Sequence, residues 1–125
     1  MMKFVGSKAR IARHILPLIL EGRSDNQCYI EPFTGGANIL VLVDNPRMSN
    51  DVNECLIACL KALSEGWVPT PEITREFYKE CRDRYNKKTY TCSEMKTIGY
   101  VGINGSYGGR YYDGGYAGIT NTKDG

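Results

Sequence analysis

The residues with chemistry to offer are few, and they lie early in the chain. Residues 31–36 read Glu31-Pro32-Phe33-Thr34-Gly35-Gly36, a carboxylate, a proline, a ring and two glycines at the end of an apolar run that opens at Cys28. Asp51 follows after about twenty positions, at the end of a second short extended run. Ahead of both, Phe4-Val5-Gly6-Ser7-Lys8 sets a ring and an ammonium on either side of a turn. Two acidic side chains at strand ends, with a glycine turn between them, read as a crevice for a small ligand, because α/β sheets bind beyond the carboxyl ends of their strands. Gly35 and Gly36 carry no Cβ, so a ligand can approach the backbone closely there.

The ligand class follows from charge. A dinucleotide would call for GxGxxG with phosphates on a helix N-terminus. That pattern is absent, and Glu31 stands where a pyrophosphate would be repelled. A ligand that accepts a carboxylate at this place is cationic, and S-adenosylmethionine, with its ammonium and sulfonium groups, fits. Each residue also has a plainer reading. The glycine turn can be a βα connection without a ligand. Asp51 can bind both hydroxyls of a ribose or help to cap the helix that follows Asn53. Lys8 can meet a ligand carboxylate or be a solvated lysine at a helix start, a place the helix dipole disfavours.

The elements that must position these residues are legible from periodicity. After an extended Met1–Phe4, Ser7 is an N-cap for a helix from Lys8 to about Leu20, with Ile11, Ile15, Leu18 and Ile19 on one face and Pro17 kinking its end. Glu21 to Gln27 is a loop. Tyr29 to Phe33 is a strand, Gly36 to Val43 a buried helix, and Arg47 to Asp51 a second strand. Asn53 caps a helix from Glu54 to Ser64, with Leu56, Ile57, Leu60 and Leu63 on one side and Gly66 as its terminal glycine. This β-α-β-α order suits a parallel, doubly wound sheet. Trp67 to Pro71 is a loop. Thr74 caps a charged helix from Arg75 to Tyr85 whose apolar side is Phe77, Tyr78, Cys81 and Tyr85, and Asn86 to Cys92 connects it onward. Ser93 caps a weaker helix through Met95, Ile98 and Val101. From Gly99 to Gly118 glycines and tyrosines crowd together, with hairpin signals at Asn104-Gly105 and Asp113-Gly114. That stretch reads either as a base-stacking, phosphate-tracking surface or as a low-complexity loop. Ile119 to Gly125 is polar and closes nothing.

Composition narrows the classes. The chain has 125 residues, 42% apolar and 24% charged, with a formal net charge of +2, as expected of one modest globular domain. The five cysteines form no CxxC pair and there is a single histidine, His14. Free, mostly buried thiols in a reducing cytoplasm are expected, and no metal site. No signal peptide is apparent, and no apolar run approaches the ~20 residues of a membrane span.

Taken in order and spacing, Phe4 to Lys8, Glu31 to Gly36 and Asn50-Asp51 resemble the DNA adenine methylase family of bacteria and their phages over essentially the whole chain. The resemblance implies methyl transfer from S-adenosylmethionine to N6 of adenine in double-stranded DNA, in the cytoplasm. It implies an α/β fold, here an incomplete Rossmann-like methyltransferase sheet over residues 1–66. The start of a helical and hairpin DNA-recognition insertion would occupy residues 67–125. Carried over by position, Phe4 and Lys8 touch the cofactor, Glu31, Pro32, Phe33 and Gly35 form the floor under its methionine part, and Asp51 binds its ribose. Asn104, Tyr107 and Arg110 fall on the DNA-contacting hairpin, Arg110 later after Asn-Gly than the family pattern has it. The family's Asp-Pro-Pro-Tyr motif, which holds and stacks the flipped adenine, is absent, so no catalytic residue is assigned. The resemblance is therefore to the N-terminal portion alone. The expectation is a fragment that is inactive by itself, an inactive cofactor- or DNA-binding module, or one half of a pair with a second polypeptide. Transfer to RNA or protein, and a nicotinamide dehydrogenase, are the lesser readings.

Overall fold

The computed structural model describes residues 2–118; the expectations for Met1 and for Ile119 to Gly125 lie outside them. The element order is α1 (Ala12–Ile19), β1 (Tyr29–Glu31), a 3₁₀ turn (Leu40–Leu42), β2 (Arg47–Ser49), α2 (Glu54–Ser64), α3 (Arg75–Lys87), α4 (Cys92–Asn104) and a second 3₁₀ turn (Tyr107–Gly109). β1 and β2 pair in parallel, with Tyr29 opposite Arg47, Ile30 opposite Met48 and Glu31 opposite Ser49. The mixed helix and strand order with a parallel pair is compatible with the α/β class.

Several expected boundaries move, each for a local reason. The first helix begins at Ala12 rather than Lys8. The Ser7 hydroxyl accepts the nearby Ala9 N–H at 3.2 Å and lies 2.7 Å from the Asn38 amide, so it shapes a turn instead of capping a helix. Ile11, Leu18 and Ile19, expected on the inner face, are exposed; the side turned inward is Ala12, Ile15 and Leu16. The expected buried helix from Gly36 to Val43 is not formed. Ala37 takes a left-handed conformation (φ 55°), and the Arg47 guanidinium donates to the carbonyls of Leu40 (2.8 Å) and Val43 (2.6 Å), serving groups a helix would have used. Ala37, Ile39 and Val43 are buried all the same, while Val41 and Leu42 face outward.

α2 and α3 stand close to expectation. Asn53 Oδ1 accepts the Leu56 N–H and Thr74 Oγ1 the Phe77 N–H, each at 3.1 Å. α4 is capped by Thr91, not Ser93: the Thr91 N–H donates to the Glu94 carboxylate at 2.8 Å, closing a capping box. Asn104-Gly105 is the end of this helix rather than a hairpin turn, with the Gly105 N–H still bonded to the Val101 carbonyl. The strand-like return instead pairs Ser106 with Tyr116 across a longer connection.

Two cores result. One gathers Ala12, Ile39 and Val43 with Tyr29 beside the sheet. The other lies among α2, α3, α4 and the tyrosine stretch, built from Cys55, Tyr78, Cys81, Ile98, Val101 and Tyr112. α2 and α4 cross so closely that a Cβ on Gly99 would run into the Cys55 carbonyl and the Cys59 side chain, so only glycine fits there. The glycine–tyrosine stretch is packed structure. Tyr112 is buried, its hydroxyl donates to the Ile98 carbonyl at 2.7 Å, and its N–H donates to Ser106 Oγ at 2.7 Å. All five thiols are free; Cys55, Cys59 and Cys81 are buried, while Cys28 and Cys92 are exposed. Burial pushes Cys59 and Cys81 up to about 11, which makes them inert at neutral pH.

Candidate functional site

The ends of β1 and β2, the glycine turn and the N-terminal segment enclose a cavity of about 240 Å³. Phe4, Lys8, Glu31, Phe33, Gly35 and Asp51 all line it. Pro32 does not; it is an exposed residue of the turn beside it. Three local devices build the cavity. The parallel pair continues past β2, with the Asn50 N–H on the Glu31 carbonyl (3.0 Å) and the Thr34 N–H on the Asn50 carbonyl (2.9 Å). These bonds set the two acidic residues side by side at the carboxyl edge. The Phe4 ring lies over the glycine turn, where a Cβ on Gly35 would come within 3.2 Å of it, and Gly35 itself has φ 48°. Glycine is therefore favoured there on two grounds, for its conformation and because the Phe4 ring would have to give way to a Cβ. Finally, Asn38 ties the N-terminal segment down, donating to the Met2 carbonyl at 3.1 Å and lying 2.7 Å from Ser7 Oγ.

Asp51 is the joint of this arrangement. Oδ2 accepts the Gly35 N–H and Oδ1 the Asn53 N–H, both at 3.0 Å, so one carboxylate links the glycine turn to the start of α2. The capping role anticipated as an alternative is therefore real. An ionised carboxylate has about four acceptor positions, so a second lone pair remains on each oxygen.

The electrostatics of the cavity are lopsided. Glu31 Oε2 and Thr34 Oγ1 are buried without a hydrogen-bond partner. Burial is the largest influence on the Glu31 carboxyl and raises it above its ordinary value; the backbone N–H of Leu40 and the charge of Lys8 act in the opposite sense. A buried acceptor without a donor costs free energy, and a ligand that brings a donor or a positive charge removes that cost. Sequence reasoning missed Thr34 and Asn38 as members of the site. For Asn38 the available signal was a lone amide inside the apolar run from Ala37 to Val43.

The residues expected to meet DNA are partly gathered. Asn104 and Tyr107 line one open groove together with Lys3 and Tyr116. Tyr107 is 66% exposed, unlike the buried Tyr112 of the same stretch. Asn104 donates to its own helix, to the Tyr100 carbonyl at 3.1 Å. Arg110 is exposed and lies outside this groove, its stem beside Gly114. The turn Tyr107–Gly109 sits against the N-terminal segment: the Val5 N–H donates to the Gly109 carbonyl at 3.2 Å. Among the described residues no helix is long and apolar enough to cross a membrane. No group of three or more His, Cys, Asp or Glu side chains among them is placed to hold a metal ion.

No solved structure matches the chain. A curated relative, the Type II methyltransferase M.MjaIII of Methanocaldococcus jannaschii, is 29% identical over 135 aligned positions, covering 88% of this chain. The chain spans 46% of that relative's length. The model of the D12 class N6 adenine-specific DNA methyltransferases matches residues 4–101, a span that holds every residue lining the cavity. The chain belongs to the D12 class of N6 adenine-specific DNA methyltransferases.

Proposed function

We propose that these residues form the methyl-donor half of an adenine-N6 DNA methyltransferase, and that the donor is S-adenosylmethionine. The observation that carries this reading is the unpartnered Glu31 Oε2 in a cavity that Asp51 also lines. A buried carboxylate oxygen and a buried hydroxyl without partners suit a cationic ligand with N–H donors. The two free lone pairs of Asp51 suit the hydroxyls of a ribose. Phe4, Phe33 and Gly35 supply apolar and close-approach surface, and Lys8 supplies the charge for the ligand's own carboxylate. When bound, the cofactor supplies an electrophilic methyl carbon. The protein's share is alignment and charge placement, since a correctly held amine needs no covalent help from a side chain.

The group that holds the target adenine is not among these residues, because no Asp-Pro-Pro-Tyr occurs in the sequence. On this reading the 125 residues alone bind cofactor, and contact DNA through Asn104, Tyr107 and Arg110, without efficient transfer. Further polypeptide, in the same chain or a second one, completes a Rossmann-like, doubly wound sheet and the site. The exposed pair Ile30 and Met48 supports this: they face each other across the strands and are each 62% exposed, an apolar face of a kind that α/β proteins cover. The reading places the protein in the cytoplasm, with DNA and donor.

Calorimetric titration with S-adenosylmethionine tests the proposal. One-to-one binding by the wild-type chain, weakened at least tenfold in Glu31→Gln, is expected. A cooperatively melting chain that gives no binding refutes it.

A further inference from the structure

The charges of α3 are sorted by side. Arg75, Lys79 and Arg82 recur at i, i+4 and i+7, and Asn86 continues the same row. Glu76, Glu80 and Asp83 form the neighbouring row, turned by about 100° at ~3.6 residues per turn. The third side, Tyr78, Cys81 and Tyr85, packs into the helical core. Arg75, Lys79 and Arg82 are all exposed. Among the described residues the ion pairs are those of Arg84 with Glu80 (3.9 Å) and with Glu94 (2.7 Å), so the cations of the row are unpaired while part of the acidic row is engaged elsewhere.

The row also leads somewhere. Arg75, its N-terminal member, lies over the Tyr116 ring, 5.3 Å from the centroid. It lines a groove with Tyr100, Asn104 and Tyr116. Asn104 and Tyr116 are shared with the next groove, which holds Tyr107 and Lys3. Basic side chains therefore run from the flank of α3 into the surface that carries Asn104 and Tyr107. From Arg75 to Arg82 the helix rises about 10 Å, the axial span of about three phosphates of one DNA strand at ~3.4 Å each.

We propose that the Arg75–Lys79–Arg82 row of α3 is a phosphate-tracking surface for duplex DNA, continuous with the Asn104–Tyr107 groove. It fixes the orientation of the duplex and carries no base preference, because its contacts are to the backbone. This rests on the DNA-methyltransferase reading for its partner, but not on the cofactor.

The test is fluorescence anisotropy with a labelled 20-base-pair duplex between 50 and 200 mM KCl, on wild type, Lys79→Ala/Arg82→Ala and the control Arg13→Ala/Lys61→Ala. All four replaced residues are exposed, and circular dichroism melts check each fold. Each lost phosphate contact lowers the slope of log K against log salt by about 0.9. A fall of about 2 is expected in the α3 variant and none in the control, with the same loss on duplexes of unrelated sequence. An unchanged slope in the α3 variant, or an equal fall in the control, overturns the proposal. So does a wild type that binds no duplex at 50 mM. Because S-adenosylmethionine binding is read separately, a chain that binds cofactor but keeps its slope refutes the row alone. A chain with the expected slope and no cofactor binding refutes the donor reading alone.

Discussion

Replacing Asp51 separates what its carboxylate does for the fold from what it does for a ligand. In the free protein its two oxygens accept the Gly35 and Asn53 N–H groups at 3.0 Å each. A hydrogen bond to a charged group contributes about 1.5–3 kcal/mol, with the lower end apt for a part-buried site that water can reach. Asp51→Ala removes both bonds and should cost about 3 kcal/mol. Asp51→Asn keeps one acceptor and should cost about half of that. With a urea slope of ~1.5 kcal/mol/M for a chain of this size, the alanine variant's midpoint falls by about 2 M and the asparagine variant's by about 1 M. Equilibrium urea denaturation followed by circular dichroism at 15 °C gives both values. Calorimetry under the same conditions then reads cofactor binding on protein that is still folded. Asp51→Asn should lose at least tenfold in affinity, since the amide leaves fewer acceptors for a ribose. A midpoint shift in Asp51→Ala below about 0.3 M would show that the carboxylate does not hold the glycine turn to α2. Asparagine binding S-adenosylmethionine as wild type does would remove the ribose role while leaving the structural one.

Glu31→Gln should stabilise the unliganded protein while it weakens binding. The folded carboxyl lies above its ordinary value through burial, so the unfolded chain ionises first as pH rises. Above the folded value both states are ionised and the folded one carries the burial cost; as pH falls through that value the penalty disappears. The variant should therefore melt higher than wild type at pH 7, with the gap closing toward acid; thermal melts from pH 4 to 8 check this. Gly99→Ala should be destabilising although it raises helix propensity by about 1 kcal/mol. The added methyl meets the Cys55 carbonyl, and overpacking against backbone costs ~3 kcal/mol or more, for a net loss of about 2 kcal/mol in urea denaturation.

The local pattern of the chain was decisive for anything governed by neighbours in sequence. Asn53 and Thr74 cap the helices they precede, and Gly66 follows α2 with φ 89°, because capping is settled within one turn of chain. The order of the cavity's lining was equally legible: a carboxylate, two glycines and a second carboxylate at a strand end are covalently fixed in order, and a parallel pair brings them to one edge. What the sequence by itself could not decide were contacts between distant segments. The apolar run after Gly36 reads as a helix until Arg47 takes its carbonyls. Ser7 reads as a cap until Asn38 lies against it. Asn104-Gly105 reads as a hairpin until Gly99 lets α4 settle on α2 and run on to its end. The tyrosines of residues 107–116 look alike in sequence, yet Tyr112 is in the core and Tyr107 on the surface. Hydrophobic periodicity states which side of an element is apolar. Which of several apolar or polar partners meets it is a matter of close packing and long-range hydrogen bonds, and only the folded chain brings those together.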